Sequence, residues 1–363
     1  MTSQIEALKE TAKKDPKRII LPEGDEPRVL KAASVATALG IAETILIGKE
    51  DKVNKIARDQ SVSLDKIRVI EPGKYPKSAE ITEAFYNLRK HKGITRDEAR
   101  DIVLGDSVYF GAMLVRLGVA DGFVAGASHT TSNVARAAIH CLELDREISV
   151  VSGFFVIELE NSSYGDNGLF IFGDCAIIPD PDPDKLASIT ISASRLYERL
   201  FSASAEGRSA PGVIGADFLP AVGKGKARIA LLSYSTKGSA KGDSVEKVLK
   251  TLKIIKEKHP DLMVDGELQL DAAIVPEVAG IKAPKSDVAG KANVLIFPNL
   301  DAGNIAYKLT QRLGSARVIG PILQGLTRPC SDLSRGCGVE EIVDAIVVNV
   351  IIAQRRSKVC KLC

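Results

Sequence analysis

A short stretch near the C-terminal end of the sequence carries the residue types of a reactive site. Residues 324–341 read QGLTRPCSDLSRGCGVEE and place Ser334, Arg335, Glu340 and Glu341 within eight positions. A hydroxyl, a guanidinium and two carboxylates can bind an anion, donate a hydrogen bond and accept a proton. We therefore interpret the stretch as a site that binds an anion and moves a proton.

The segments around this stretch, and those near the N-terminus, alternate between strand and helix patterns. Apolar residues 316–323 predict a buried strand before the stretch, and residues 342–353 predict a helix buried on most sides after it. Near the N-terminus, residues 18–21 predict a strand and residues 29–39 a helix that ends at Gly40. This alternation predicts an α/β fold with a parallel sheet and crossover helices.

A second candidate site follows the strand predicted over residues 121–127. A glycine turn leads into a hydroxyl-rich segment and then a helix predicted over residues 134–142. Free backbone N–H groups at a helix N-terminus favour a phosphate or carboxylate, and Arg136 could reach the same place from one turn into the helix. Simple N-capping by Thr130 or Ser132 is the alternative, and both can hold together. The candidate binding residues of this segment are Ser128, His129, Thr130 and Thr131.

Polar loops after strands are the expected ligand sites of an open α/β sheet, because ligands bind beyond the carboxyl ends of the strands. Four loops qualify, at residues 126–133, 235–243, 299–304 and 324–338. Lys237, Lys241 and the 299–304 loop are candidate ligand-binding positions by their place after strands alone.

Composition and motifs exclude several classes of protein. Mixed charges, 49 basic against 46 acidic residues, give a net charge of +3, too small to indicate nucleic-acid binding. No apolar run approaches the ~18 residues that span a bilayer, and the N-terminus lacks a signal-peptide pattern, so we expect a cytoplasmic protein. The sequence has no P-loop and no cluster with metal-ligand spacing, so no metal site is expected. Cys360 and Cys363 have a C-x-x-C spacing without a matching pair, which favours a reduced tail over a zinc or redox site.

Several motifs spread over nearly the whole length resemble those of the phosphate acyltransferases, and within them the phosphate acetyltransferases. The matching segments are LPEG at 21–24, LRKHKG at 88–93, VYFGAMLV at 108–115, GASHTT at 126–131, DGELQ at 265–269, PEVA at 276–279, GNIAYKL at 303–309 and DLSRGC at 332–337. Any one of them alone is a weak signal, but together they are specific.

The resemblance implies two three-layer α/β/α domains with mostly parallel sheets and an active-site cleft between them. It places domain one at residues 1–147 plus 323–363 and domain two at residues 148–322. It implies the reversible reaction of acetyl-CoA and phosphate to acetyl phosphate and CoA, by direct attack of the CoA thiolate in a ternary complex. It also implies a homodimer, a role in acetate metabolism, CoA and acetyl-CoA as substrates, and no bound cofactor.

The resemblance also implies roles for individual residues. Ser334 would face the acyl carbonyl, Arg335 the phosphate, and Glu341 would be the base for the CoA thiol, where relatives carry aspartate. The alternative for Glu341 is that it only complements a helix N-terminus. Arg89 and Arg136 match two further arginines of the family, although cations at the helix end of the LRKHKG segment are also favoured without any ligand. The remaining substrate-binding candidates are Asn304, Tyr307 and Lys237.

Three alternative functions stay open from the sequence. A phosphate butyryltransferase would run the same chemistry on a longer acyl chain, and no residue that we can name sizes the acyl pocket. A decarboxylating dehydrogenase of related architecture would need a nicotinamide site and metal-binding aspartates, which the sequence does not show. A non-catalytic CoA-binding protein is disfavoured by Ser334, Arg335, Arg89 and Arg136.

Overall fold

A computed structural model of the chain describes residues 3–201 and 226–356, so Cys360 and Cys363 lie outside the described residues. The strands are β1 Lys17–Leu21, β2 Ala42–Ile47, β3 Arg68–Ile70, β4 Gly122–Ala125, β5 Ser152–Glu158, β6 Leu169–Gly173, β7 Ile229–Leu232, β8 Val264–Leu268, β9 Val294–Ile296, β10 Arg317–Gln324 and β11 Cys330–Asp332. The helices are α1 Gln4–Ala12, α2 Pro27–Ala38, α3 Glu50–Asp59, α4 Ser78–Arg89, α5 Arg96–Gly105, α6 Ser107–Arg116, α7 Thr131–Cys141, α8 Tyr164–Asn167, α9 Pro183–Phe201, α10 Asp243–Lys258, α11 Leu270–Ile274, α12 Pro276–Lys282, α13 Leu300–Leu313 and α14 Val339–Arg356.

The described residues divide into two compact units. Unit A holds residues 8–145 and the segment from residue 326 onward, and unit B holds residues 3–7 and the segment 146–325. The first residues group with unit B because Ser3 Oγ and the Gln4 backbone N–H donate to the Glu158 carboxylate at 2.7 and 2.6 Å. The predicted domains, 1–147 with 323–363 and 148–322, remain a proposal about units that fold independently.

The sheet of unit A is entirely parallel. Its strand order is β3-β2-β1-β4-β11, and every neighbouring pair runs in the same direction. In a parallel sheet the carboxyl ends of neighbouring strands lie along one edge. The segments that follow β1, β4 and β11 therefore meet at that edge, and they are the segments that begin at Pro22, Gly126 and Leu333.

Strand β11 corrects the prediction of a continuous loop over residues 324–338. Residues 330–332 pair in parallel with β4, from Cys330 opposite Phe123 to Asp332 opposite Ala125. Three residues of mixed polarity give no periodic signal, so the strand could not be read from its own sequence. Its one inward hydroxyl, Ser331 Oγ, accepts a hydrogen bond from Asn349 Nδ2 of α14 at 2.7 Å.

Helix α14 is as buried as its apolar sequence predicts. Its residues from Ile342 to Ala353 are each no more than 5% exposed. The helix packs on β1, β4 and α2 and closes one face of the sheet of unit A.

The sheet of unit B is mixed. Its order is β10-β5-β6-β9-β7-β8, in which the β10–β5 and β5–β6 pairs are antiparallel and the β6–β9, β9–β7 and β7–β8 pairs are parallel. Together the two units confirm the predicted α/β class with mostly parallel strands. No helix within the described ranges is both long enough and apolar enough to cross a membrane.

The polar segment 299–304 is not the loop that the sequence predicts. Helix α13 begins at Leu300, and the Asn299 side chain caps it by accepting from the Ala302 N–H at 3.0 Å. The segment looks loop-like because Asn and Asp favour turns, but the same property makes Asn299 a good N-cap.

Candidate active site

The buried carboxylate of Glu23 organises the loop that follows β4, which we call the first site loop (residues 126–131). Glu23 lies two residues after β1 and is 1% exposed. Its Oε2 accepts from the N–H groups of Gly126 and Ala127 at 3.0 and 2.8 Å. Its Oε1 accepts from the N–H groups of Ser128 and His129, at 2.8 and 2.9 Å. The same oxygen also contacts the Ser128 hydroxyl at 2.9 Å and His129 Nδ1 at 2.7 Å.

These hydrogen bonds correct the prediction that the backbone N–H groups at the turn are free to bind an anion. A carboxylate does occupy the four N–H groups of residues 126–129, but it belongs to the chain itself. The helix cap predicted for this segment is confirmed, because Thr130 Oγ1 accepts from the Asn133 N–H at 3.2 Å. Ser128 and Thr130 are exposed and His129 is partly buried.

The charges of Glu23 and His129 support one another. Burial opposes the charged form of Glu23, but hydrogen bonds from His129, Ser128 and Ala127 outweigh it and lower the pKa of Glu23 to about 2. The hydrogen bond to Glu23 in turn raises the pKa of His129 above its usual value. His129 is therefore biased toward the imidazolium form.

A second buried carboxylate, Asp332, holds the far end of the first site loop. Thr131 Oγ1 donates to Asp332 Oδ2 at 2.6 Å. The other oxygen, Oδ1, is buried and has no hydrogen-bond partner among the described residues. Burial raises the pKa of Asp332 to about 7, and the nearby charge of Glu23 adds to this effect.

Arg28 joins the first site loop to the segment after β11, which we call the second site loop (residues 332–338). Its Nη2 donates to the Ala127 carbonyl at 3.0 Å, and its Nη1 donates to the carbonyls of Arg335 and Cys337, both at 2.8 Å. The structure thus brings the predicted residues Ser334 and Arg335 to the predicted loop 128–131.

The two side chains expected to face the substrate on the second site loop are exposed. Ser334 Oγ accepts weakly from the Gly336 N–H at 3.3 Å, so its own proton is available to a ligand. Across residues 3–201 and 226–356, the Arg335 guanidinium forms no hydrogen bond or ion pair with a protein group. An exposed guanidinium beside a hydroxyl is suited to a phosphate and an acyl oxygen.

Glu341 is placed as a helix cap. Its Oε2 accepts from the Gly338 N–H at 2.6 Å, across the first turn of α14. Burial raises the pKa of the Cys337 thiol to about 11, and the negative charge of Glu341 also acts to raise it. The capping role weighed from the sequence is therefore present.

Arg89 and Arg136 lie around one pair of side chains, the buried Tyr109 and the partly buried His140. Tyr109 Oη is 3.0 Å from His140 Nδ1. Burial lowers the pKa of His140, and the charges of Arg89 and Arg136 lower it further. The two arginines therefore share a region of unit A in which the neighbouring histidine stays neutral.

The other three predicted binding residues lie in unit B, and each already contacts its own unit. Lys237 Nζ is 2.6 Å from Asp265 Oδ1 and 2.8 Å from the Gly266 carbonyl. Asn304 Nδ2 donates to the Cys175 carbonyl at 3.2 Å. Tyr307 stacks on Phe155 with ring centroids 4.0 Å apart.

Among the described residues, no group of three or more His, Cys, Asp or Glu side chains could hold a metal ion. The residues that sequence reasoning left without a role are Glu23, Asp332 and Arg28. All three lie within or next to matched motifs at the ends of β1 and β11 and the start of α2. A signal was available, since an acid directly after a buried strand lies at the ligand edge of a parallel sheet.

Comparison with known proteins gives consistent results over the full length. A family model described as phosphate acetyl/butaryl transferase matches residues 3–206 and 212–350. The phosphate acetyltransferase of Acetivibrio thermocellus is 46% identical over 352 residues, which cover 97% of this chain and 98% of that protein. The phosphate acetyltransferase of Thermoanaerobacterium thermosaccharolyticum is 44% identical over 352 residues, covering 97% and 100%. A solved phosphotransacetylase from Streptococcus pyogenes matches with a TM-score of 0.85 at 37% identity, covering 98% and 100% of the two chains.

These similarities confirm the predicted activity, phosphate acetyltransferase, and favour it over the butyryltransferase alternative. The matches span both units and include both site loops. The chain belongs to the phosphate acetyl/butaryl transferase family of acyltransferases.

Proposed function

We propose that the two site loops of unit A carry the acetyl transfer between CoA and phosphate. The observation behind this proposal is the Arg28 side chain, which ties the carbonyls of Arg335 and Cys337 to that of Ala127. This tie leaves the Arg335 guanidinium and the Ser334 hydroxyl directed away from protein partners, at the carboxyl edge of the parallel sheet.

In the direction of acetyl-CoA synthesis, the CoA sulfur attacks the carbonyl carbon of acetyl phosphate. A C–S bond forms, the C–O bond to the phosphoryl group breaks, and phosphate leaves with the bonding electron pair. A free thiol has a pKa of ~8.5, so a base raises the fraction of thiolate at neutral pH. We assign this base to Glu341, which would take the thiol proton while its other oxygen keeps the cap on Gly338.

Charge develops on the carbonyl oxygen and on the leaving phosphate. The Ser334 hydroxyl would donate to the carbonyl oxygen, because Ser334 Oγ only accepts, from Gly336, within the second site loop. Arg335 would bind the phosphate, with Arg89 and Arg136 as further cations for phosphate or CoA. The proposal assigns no step to a metal or a bound cofactor.

We assign Ser128, His129, Thr130 and Thr131 to the phosphate side of this site. Lys237, Asn304 and Tyr307 remain candidates for CoA contacts, but each would have to serve substrate in addition to its contact within unit B. For Lys237 this is possible without breaking the ion pair, because the ammonium has three N–H donors and its described contacts are with Asp265 and the Gly266 carbonyl.

The direct test is an assay of CoA released from acetyl-CoA in the presence and absence of phosphate. We expect release that depends on phosphate and produces acetyl phosphate in equal amount. Release without phosphate would contradict the proposal, because water would then be the acceptor. The same assay with butyryl-CoA should give a much lower kcat/KM.

We also propose that the chain acts as a homodimer in the cytoplasm, in acetate metabolism. Helix α13 exposes three apolar side chains four residues apart, Ile305 at 58%, Leu309 at 51% and Leu313 at 81%. Such a stripe favours burial against another surface, here that of a second copy. The four described cysteines are all free thiols, which fits a reducing compartment.

Light scattering coupled to gel filtration tests the dimer. We expect the wild-type mass to be twice the 38.8 kDa of one chain and Leu309→Glu to lower it. A Leu249→Glu variant is the control, because Leu249 is an exposed leucine of α10, 44% accessible and outside the stripe. A monomeric wild-type protein would contradict the dimer without affecting the catalytic proposal.

A further inference from the structure

The hydrogen-bond donors of the first site loop are mostly turned toward the protein. Four backbone N–H groups and the Ser128 hydroxyl donate to Glu23. The Thr131 hydroxyl donates to Asp332. A phosphate at this loop therefore cannot receive these hydrogen bonds unless the buried carboxylates release them, and each of those carboxylates is 1% exposed.

His129 is arranged differently. Its Nδ1 lies 2.7 Å from Glu23 Oε1, and its side chain is 30% exposed. Because imidazole is a rigid ring, Nε2 points away from the carboxylate that holds Nδ1. Among residues 3–201 and 226–356, Nε2 has no hydrogen-bond partner.

We propose that Glu23 is a positioning residue that fixes the His129 imidazole through Nδ1–H and so presents Nε2–H to a phosphate oxygen of the substrate. This inference rests on the proposed placement of phosphate beside the first site loop. A carboxylate on one ring nitrogen fixes the ring orientation and favours a proton on both nitrogens. Glu23 would thus act at a distance from the substrate, through His129.

The charges around His129 also favour a proton on both ring nitrogens. The hydrogen bond that His129 Nδ1 donates to Glu23 raises the pKa of His129 most, the charges of Asp106 and Asp25 raise it further, and burial opposes them. Ser128 Oγ lies 3.5 Å from Nδ1. Arg28, the cation that acts on Glu23, donates to the backbone of both site loops. The Glu23 contact and the charges of Asp106 and Asp25 thus favour the cationic, donating form of the ring.

Two substitutions of His129 distinguish the hydrogen bond from Nδ1 to Glu23 from the proposed hydrogen bond from Nε2 to phosphate. In His129→Asn the side-chain amide can replace Nδ1–H toward Glu23 but has nothing at the position of Nε2. In His129→Gln the amide can reach the position of Nε2 but is lost as a donor to Glu23. His259→Asn, at the end of α10 in unit B, is the control for loss of a histidine.

Kinetics in the direction that consumes phosphate should distinguish these variants. We expect His129→Asn to keep the wild-type Tm and to raise the KM for phosphate about 10-fold or more, the size of a hydrogen bond to a charged group. The KM for acetyl-CoA should change little. His129→Gln should lower Tm but raise the phosphate KM less than His129→Asn. An unchanged phosphate KM in His129→Asn would overturn the proposal.

Nuclear magnetic resonance of the ring nitrogens tests the Glu23 link without any turnover. We expect a pKa for His129 above 6.5 in the wild type and a lower one in Glu23→Gln, whereas Asp121→Asn, a carboxylate paired with Arg18, should leave it unchanged. If the pKa of His129 is the same in Glu23→Gln, Glu23 does not position it. If Glu23→Gln does not fold, the kinetic comparison of the histidine variants decides. A wild-type protein without phosphate-dependent activity would contradict the proposed function alone, because the nitrogen spectra report on the Glu23–His129 pair in either case.

Discussion

Thr131 Oγ1 lies 2.6 Å from Asp332 Oδ2, and this hydrogen bond joins residues that are 201 positions apart in the chain. It connects the start of α7, which follows β4 along the chain, with the end of β11. Strands β4 and β11 are parallel neighbours in the sheet. The two site loops are therefore joined at one edge of the sheet, and Ser334 and Arg335 follow Asp332 by two and three residues. Anything that moves β11 relative to β4 should move the proposed catalytic residues with it.

Replacing Arg335 by alanine should reduce kcat/KM by at least about 100-fold, because an exposed guanidinium would no longer stabilise the leaving phosphate. Its backbone carbonyl, which Arg28 holds, is unaffected by the substitution, so Tm should stay within the experimental error. Arg328→Ala is the matched control, an exposed arginine seven residues earlier. Equal activity losses in the two variants would show a general charge effect instead of a specific contact.

Ser334→Ala should lower kcat by roughly 100-fold with little change in KM, if the hydroxyl donates to the carbonyl oxygen only as charge develops there. Ser132→Ala is the control, since Ser132 is an exposed serine of α7 whose hydroxyl contacts Thr130. A change confined to KM would mean that Ser334 positions the substrate and takes no part in the transition state.

Some features of the fold could be predicted from the sequence and others could not. Helix α14 and the Thr130 cap follow from local patterns, apolar residues on most positions and a threonine before a helix. The role of Glu23 does not, because its partners at residues 126–129 are more than 100 positions away. Strand β11 was missed since three residues are too few for a periodic signal, and its pairing depends on β4.

The candidate site likewise has features that the sequence predicts and features that it does not. The residue types at 334, 335 and 341 predict anion binding and proton transfer from the sequence alone, and their roles stay predictions. The internal occupant of the 126–129 turn could not be foreseen, because a free N-terminus and one filled by a distant carboxylate have the same local sequence. Likewise, the contact of Lys237 with Asp265 depends on two neighbouring strand ends, after β7 and within β8.

Glu341→Gln tests the proposed role of Glu341 as a base while keeping its role as a cap of α14. Glutamine keeps an oxygen that can accept from Gly338 but cannot take a proton at neutral pH, so Tm should change little while kcat falls. Activity should partly recover toward pH 9, because more of the CoA thiol ionises without help. Glu340→Gln, its exposed neighbour, should show neither effect. A loss that is equal at every pH would contradict a role as base.

Asp332 should make stability depend on pH in the neutral range. Burial raises its pKa to about 7, above the ordinary aspartate value of 3.8, so the folded state holds its proton more tightly than the unfolded state. The resulting contribution to stability is full below about pH 4 and is lost as pH rises through 7. Calorimetry should therefore show that Tm of the wild type falls between pH 6 and 8 more than Tm of Asp332→Asn.

The control for this comparison is Asp121→Asn. The ion pair with Arg18 lowers the pKa of Asp121 despite burial, so its contribution to stability is constant between pH 6 and 8 and is lost only in acid. The slope of Tm against pH in that range should match the wild type. An Asp332→Asn protein with the wild-type slope would mean that Asp332 is ionised throughout.

Gly126→Ala should disrupt the edge that Thr131 and Asp332 hold together. Gly126 has a φ of +114°, and a Cβ there would lie 2.3 Å from Asp332 Oδ1 and 2.6 Å from the Leu333 backbone N. Both distances are too short for a Cβ, and the second is to backbone, so the end of β11 and the second site loop must shift. We expect Tm to fall by several degrees and kcat/KM to fall at least as strongly as in Ser334→Ala. Gly105→Ala is the control, an exposed helical glycine with open space at its Cβ, and alanine should favour that helix by about 0.5–1 kcal/mol. Wild-type activity in Gly126→Ala would show that the two loops need not be held in register for catalysis.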